Sequence, residues 1–213
     1  MRRAVVTKLE DQSRWLRADS THTDRYRGLL ELAAPALHAD ARVLDVGCGS
    51  GNLLAKLPPC RAFGVDVEPA ILRDRGRCAG GAAEALPFHA GAFDVVFCSE
   101  VIEHVPDPDR LVAELRRVLR PGGVAVVSTI NRLSLRAIRK GKPLTGKMHS
   151  IQHLREYTSG SLHRQLRRHF AVEEFRCVGV RRSKRDLMKW IPDGAYRWPL
   201  FHYLMFRVAR PAA

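Results

Sequence analysis

The sequence is sparing with cysteine and has no C-x-x-C pair. Its five cysteines, at 48, 60, 78, 98 and 177, form an odd, scattered set. That pattern excludes a zinc ribbon and a disulfide-framed scaffold, and it predicts reduced thiols in a cytoplasmic setting. Long hydrophobic runs are missing too. Stretches such as Val124 to Val127 are far too short to span a bilayer. Arg2 and Arg3 are followed by only three apolar residues before Thr7 and Lys8, so no secretory-signal core is expected. No repeat or low-complexity block stands out. What remains is a chain of 213 residues, 46% hydrophobic and 27% charged. Those values exclude a disordered, collagen-like or coiled-coil protein, and the length allows a core that needs no covalent staples.

Charge is unevenly placed. Residues 1–131 carry 17 Lys/Arg and 17 Asp/Glu, whereas residues 132–185 carry 15 against 3, so nearly all of the net +14 lies in that one stretch. Such a cluster suits an anionic partner, RNA or an anionic membrane surface, or is a solvated basic face. The segment from Trp190 to Phe206 holds 6 of the 15 aromatics. It either lines an acceptor pocket or rests on a membrane, or it packs as a terminal strand.

Periodicity predicts alternating strands and helices. A helical N-terminal part extends through about Ala39, with Leu29, Leu30, Leu32, Ala33 and Leu37 near a 3.6 period. A strand from Arg42 runs into a glycine turn and then a helix. Ala62 to Val67 reads as a second strand, and Glu68-Pro69 as the opening of the next helix. Phe93 to Cys98 is another strand. Asp107-Pro108 caps a helix whose apolar stripe is Leu111, Leu115, Val118 and Leu119 and which Pro121-Gly122-Gly123 stops. Val124 to Ile130 is the strand that follows. Ser161 to Phe170 reads as helix, and Val172 to Val180 and Tyr203 to Val208 as late strands. Continuous apolar strands alternating with helices predict a parallel sheet covered on both faces. One domain over 1–213 is expected: N-terminal helices to 40, a cofactor-binding core over 41–180, and a C-terminal strand and aromatic segment over 181–213.

In such a sheet the first strand–turn–helix is the place for a ligand. The turn is Asp45-Val-Gly47-Cys-Gly49-Ser-Gly51. The dinucleotide fingerprint needs a third glycine at position 52, which is Asn, and the P-loop Lys is absent. A carboxylate at Asp45 suits a cationic amine better than a phosphate. Asp66 lies 19 residues past Gly47, the spacing at which an acid reaches ribose hydroxyls. A nucleoside carrying an amino-acid tail fits both, and S-adenosylmethionine is such a molecule.

Val43-Leu-Asp-Val-Gly-Cys-Gly-Ser-Gly51 resembles the first motif of class I S-adenosylmethionine-dependent methyltransferases. Gly64-Val-Asp-Val-Glu-Pro69 is similar to their second, Gly81-Ala-Ala-Glu-Ala-Leu-Pro-Phe88 to their third, and Phe93-Asp-Val-Val-Phe-Cys-Ser99 to their fourth. Arg120 to Val127 resembles the stretch before their fifth strand. The likeness covers about residues 28–180. It implies a Rossmann-like sheet of seven strands, the last antiparallel, with helices on both faces. It also implies site roles. Gly47 and Gly49 would admit the methionine part, with Cys48 between them. Asp45 would hold the amine and Asp66, followed by Val67, the ribose diol. Ala83 and Glu84 would border the adenine, and Ser99 would sit near the methionine end. Ala82 departs from the pattern, since many relatives have Asp there.

Ser99-Glu100-Val-Ile-Glu103-His104 follows the fourth strand. If it turns helically, Glu100, Glu103 and His104 share a face. Two carboxylates and an imidazole can bind a divalent cation or include a general base for a hydroxyl, with His104 and Glu100 as the catalytic candidates. The same pattern can also be a plain helix start. His149 and His153 could complete an O/N-rich site for Mg²⁺ or Mn²⁺, and His153 is preferred. Glu100 to Pro108 and Ser128 to Arg132 are similar to the ubiquinone-pathway O-methyltransferases. Glu100 to His104 and His153 to Thr158 are similar to the small-RNA 2′-O-methyltransferases. Both resemblances imply a metal beside the acceptor hydroxyl. The expected activity is O-methylation of a small-molecule hydroxyl. The alternatives are a metal-dependent RNA methyltransferase and a non-catalytic S-adenosylmethionine-binding protein.

Overall fold

The structure, a computed structural model, describes residues 20–68, 77–134, 137–138, 150, 152–178 and 202–212. Within these, helix α1 is Ser20–Ala33, followed by strands β1 Arg42–Val46, β2 Arg61–Asp66, β3 Cys78–Gly80 and β4 Phe93–Ser99. Helix α2 is Pro108–Val118, β5 Leu119–Ile130, α3 Ser159–Leu166, β6 Ala171–Val178 and β7 Tyr203–Ala209. The seven strands form one sheet in the order β3-β2-β1-β4-β5-β7-β6. The pairs among β1 to β5 are parallel, and β7 is antiparallel to both β5 and β6.

Side chains alternate across the strands and divide the core in two. Leu44, Val46, Val96, Cys98, Ala125 and Val127 pack on the face covered by Leu111, Leu115, Leu162 and Leu166 of α2 and α3. Val43, Val95, Phe97 and Val126 pack on the opposite face with Leu29, Leu32 and Ala33 of α1. Truncating a fully buried leucine such as Leu115 costs roughly 2–5 kcal/mol. The order also places a site. β1 lies between β2 and β4, so the strand order reverses there, and the carboxyl ends of β1 and β4 are where such a sheet takes a ligand.

The α2 cap is as its sequence predicts: Asp107 accepts from the Arg110 amide at 3.0 Å, and Pro108 occupies the first turn. Other boundaries differ. The N-terminal helix stops at Ala33 and tightens into a 3-10 turn at Ala34–Ala36, with Pro35 in its first positions. The helix expected after the glycine turn is a single 3-10 turn, Leu54–Lys56. Leu57 is already extended, as the residue before Pro58 is steered to be, and Pro58-Pro59 leave too few residues for a longer helix. α2 ends at Val118 and Leu119 already belongs to β5, which includes Pro121 and both glycines in an irregular stretch, Gly122 at φ +74°, before regular pairing with β4 resumes at Val124. α3 is displaced toward its N-terminus because Thr158 and Ser161 form a capping box there. Strand β3 had no sequence signal: three residues, Cys-Ala-Gly, carry no readable alternation. Pro69, His149, Val180 and the aromatics Trp190, Tyr196, Trp198 and Phe201 lie outside the described residues.

Candidate active site

The glycine turn hangs on the end of β2. The Gly47 and Cys48 amides donate to the Val65 carbonyl at 2.8 and 3.1 Å. Gly47 has φ +73°, and a Cβ there would sit 2.3 Å from Val101 Cγ2. Only glycine fits both the backbone and the space. The Asp66 carboxylate, at the tip of β2, accepts the Gly49 amide on Oδ2 at 2.8 Å and the Glu68 amide on Oδ1 at 2.9 Å. Each oxygen retains acceptor capacity for a hydroxyl.

Asp45 lies one residue before the end of β1 and is only 4% exposed. Burial pushes its carboxyl up to about 7; nearby Arg25 pulls the other way, and Asp66 adds to the rise. Ser99 ends β4, with Oγ 2.8 Å from Ser128 Oγ and 3.2 Å from the Arg25 guanidinium, which donates to it. Ala83 is partly buried against the core, Glu84 Oε1 lies 3.5 Å from the Asp107 amide, and Val67 is 72% exposed.

On the β4 side the backbone corrects an expectation. Glu100 has φ +59° and is anchored by its amide to the Ser128 carbonyl at 3.0 Å. A left-handed residue cannot start a helix, and for a non-glycine it costs on the order of 1–2 kcal/mol. Glu100, Glu103 and His104 therefore do not share a helix face. The chain instead makes a tight turn, with the His104 amide on the Val101 carbonyl at 2.8 Å. The Glu100 Oε1 atom is shielded from solvent. Burial raises its carboxyl well above the usual range, Glu103 adds to this, and Arg25 opposes it. Glu103 is 1% exposed, and burial pushes it up to about 7 while Thr129 and Arg25 pull it down.

The turn is met by a segment from beyond β5. The Leu154 amide donates to the Glu103 carbonyl at 2.9 Å, and the Arg155 guanidinium donates to the carbonyls of Val105 and Pro106. Asn131 bridges to Tyr157 in the same region. This docking brings His153 to His104, with ring centroids 4.9 Å apart and planes at 80°. Among the described residues, Glu103, His104 and His153 each bring a ligand atom to within 4.8 Å of the others; Glu100 stands outside that cluster. His104 Nδ1 lies 3.1 Å from the Gln152 carbonyl, which can only accept, so in the neutral ring Nε2 keeps its lone pair. His153 Nδ1 lies 3.6 Å from Glu156 Oε1, both side chains being buried.

Arg25 is the site residue that sequence reasoning missed. It is 8% exposed, and its guanidinium lies 5.0 Å from the Tyr26 ring and 5.6 Å from the Tyr203 ring. It faces the carboxyl groups of Asp45, Glu100 and Glu103. The signal was its spacing: Arg25, Leu29 and Leu32 fall on one buried helix stripe.

A sequence model described as a methyltransferase domain matches residues 18–170. A ubiquinone biosynthesis O-methyltransferase of Psychrobacter cryohalolentis is 41% identical over 109 residues, 44% of this chain and 42% of that protein. The chain thus spans less than half the length of the curated relatives it matches. Among solved structures, an S-adenosylmethionine-dependent methyltransferase of Thermotoga maritima, described as a possible histamine N-methyltransferase, superposes with a TM-score of 0.69. It is 24% identical, over 94% of this chain and 95% of that one. The N-methyltransferase NodS of Bradyrhizobium japonicum, solved with S-adenosylhomocysteine, gives 0.65 at 18% identity, over 92% and 90%. At these identities the structural likeness concerns the fold. No helix among the described residues is long and apolar enough to cross a membrane.

Proposed function

Because the chain belongs to the methyltransferase-domain family, we propose that it transfers the methyl group of S-adenosylmethionine to a hydroxyl of a small molecule. The observation that carries the reading is the pair of carboxylates at the ends of two adjacent parallel strands, Asp45 on β1 and Asp66 on β2, flanking the glycine turn. In this reading Asp45 faces the ammonium of the methionine tail. Its own carboxyl titrates near 7 without that partner, and the ammonium favours the ionised form. Asp66 holds the Gly49 amide and takes the ribose diol on its remaining acceptor sites. Ala83 and Glu84 lie on the adenine side, after β3.

The acceptor side is the turn after β4. The sulfonium methyl is already activated, so positioning does much of the work and the acceptor's proton is the remaining obstacle. Glu103 and the Nε2 of His104 are the proton acceptors offered there. Glu103 has a carboxyl poised near neutrality, and Arg155 and the Gln152 carbonyl hold this turn in place. A carboxylate with two imidazoles in mutual reach also suits a first-row divalent cation such as Mn²⁺, more than Mg²⁺, which prefers oxygen ligands. Bound by Glu103, His104 and His153, it would lower the pKa of an acceptor hydroxyl.

The similarity to ubiquinone biosynthesis O-methyltransferases, 41% identity over 109 and 107 residues, supports a quinone precursor as the acceptor. The test is methyl transfer from labelled S-adenosylmethionine with His104→Ala beside the native chain. His104→Ala should lose at least about tenfold in turnover while keeping S-adenosylhomocysteine affinity. Undiminished turnover in that variant would remove the turn from the chemistry.

A further inference from the structure

Gly64, in the middle of β2, has no side chain, and two sulfurs occupy the space. A Cβ built there would lie 2.7 Å from Cys48 Sγ and 2.8 Å from Cys78 Sγ. Both thiols therefore sit against the same point. One comes from the glycine turn after β1, the other from the neighbouring edge strand β3, where Cys78 is the register partner of Gly64. The five cysteines are all free thiols. Cys48 is 6% exposed, and Cys78 is half-buried on the outermost strand of the sheet.

We propose that Cys48 and Cys78 form a dithiol site that closes to an intramolecular disulfide by exchange with a low-molecular-weight disulfide, and that closure and cofactor binding oppose one another. The first clause stands on the sulfur geometry alone; the second rests on the cofactor reading above. In the exchange, the thiolate of Cys78, the more accessible of the two, attacks one sulfur of the external disulfide and expels one thiolate. The Cys48 thiol then gives its proton, through water, to the small thiolate expelled in the first step, and its sulfur attacks the Cys78 sulfur of the mixed disulfide. A bond forms between the two protein sulfurs, the second small thiol leaves, and two cysteine thiols have been oxidised for one external disulfide reduced. Burial and the carboxylates of Asp45 and Asp66 hold the Cys48 thiol protonated, which makes the second step the slow one.

The opposition follows from what each cysteine is attached to. Cys48 lies between Gly47 and Gly49, whose positive φ angles, +73° and +48°, shape the turn. Cys78 begins the strand that leads to Gly81, Ala83 and Glu84. The sulfurs must approach to about 2 Å to bond, and in this proposal the strain of closing falls on the turn or on β3. The first moves the Gly49 amide on Asp66, and the second moves the adenine side.

The full chain, reduced, is exposed to glutathione disulfide and examined by peptide mapping, with S-adenosylhomocysteine affinity measured before, after, and after re-reduction. The expected result is a single Cys48–Cys78 cross-link and an affinity about tenfold lower that dithiothreitol restores. By reciprocity, bound S-adenosylhomocysteine should slow closure. Cys78→Ser should bind like the native chain and lose nothing on oxidation. Glutathione remaining on Cys78 without closure would overturn the proposal. So would a Cys48–Cys78 cross-link that leaves affinity unchanged. Absence of S-adenosylhomocysteine binding by the reduced chain would instead overturn the cofactor reading, and the cross-link would still be judged by the map.

Discussion

Asp45 is the residue on which the cofactor reading is most exposed to measurement. In the free chain its carboxyl is half-protonated near pH 7, because burial opposes the charge more than Arg25 supports it. A cationic amine binds the ionised form, so binding releases a proton. Affinity for S-adenosylhomocysteine should therefore fall as pH drops below 7, by up to about tenfold per unit, and level off above it. Calorimetry across pH 5.5 to 8.0 in buffers of different ionisation heat would show both the slope and the released proton. Asp45→Asn should flatten that profile. Asp66→Ala removes the acceptor for the ribose diol and also the partner of the Gly49 and Glu68 amides, so affinity should drop by more than about tenfold. Native affinity in that variant would mean the nucleoside lies elsewhere.

At the scale of elements, the site is a set of strand ends and the turns they carry. Gly47→Ala meets two obstacles, a left-handed backbone and Val101 Cγ2 at 2.3 Å. Val101→Ala in the same chain relieves only the second. The single variant should lose about 1–3 kcal/mol of stability together with cofactor affinity, and the double should recover part of the stability. Thermal melts of both variants check this. At the start of α2, Asp107→Ala removes a helix cap but keeps the backbone amide that meets Glu84, and it should cost about 1 kcal/mol without affecting cofactor affinity.

The elements also show what the sequence made legible. β1, β4 and α2 carry strong local signals, namely apolar runs and a Asp-Pro cap, and they formed as those signals predict. The Glu100 to His104 segment did not. Its residues fit a helical face by spacing, but the Ser128 carbonyl holds the Glu100 amide and turns the chain the other way. That hydrogen bond spans 28 positions and leaves no trace in a local window. Arg25 escaped notice for a related reason, since an arginine on an N-terminal helix reads as solvated until the strand ends opposite it are known to be acidic.

The whole molecule joins a neutral N-terminal part to a basic stretch, and its described surface includes Leu133, Ile138 and Leu154, which are 42%, 45% and 54% exposed. Of the basic stretch over 132–185, Arg132, Arg155, Arg164, Arg167, Arg168 and Arg176 are among the described residues, and Arg136, Arg139 and Lys140 lie outside them. Leu154 adjoins His153, and His153 is what joins the two halves of the acceptor side. If a divalent cation is held by Glu103, His104 and His153, EDTA should lower turnover and Mn²⁺ should restore it, while S-adenosylhomocysteine affinity stays unchanged because Asp45 and Asp66 lie outside that cluster. Full turnover in EDTA would leave Glu103 and His104 acting as proton acceptors alone.

The most direct test follows the methyl group itself. The chain is incubated with methyl-labelled S-adenosylmethionine and cell extract separated into small-molecule, lipid, RNA and protein fractions, and the bond that carries the label is identified. Label in the small-molecule or lipid fraction, as a methyl ether formed on a hydroxyl and absent with Asp66→Ala, is the predicted result. Label confined to RNA or protein, or carried on an amine nitrogen, would contradict the account.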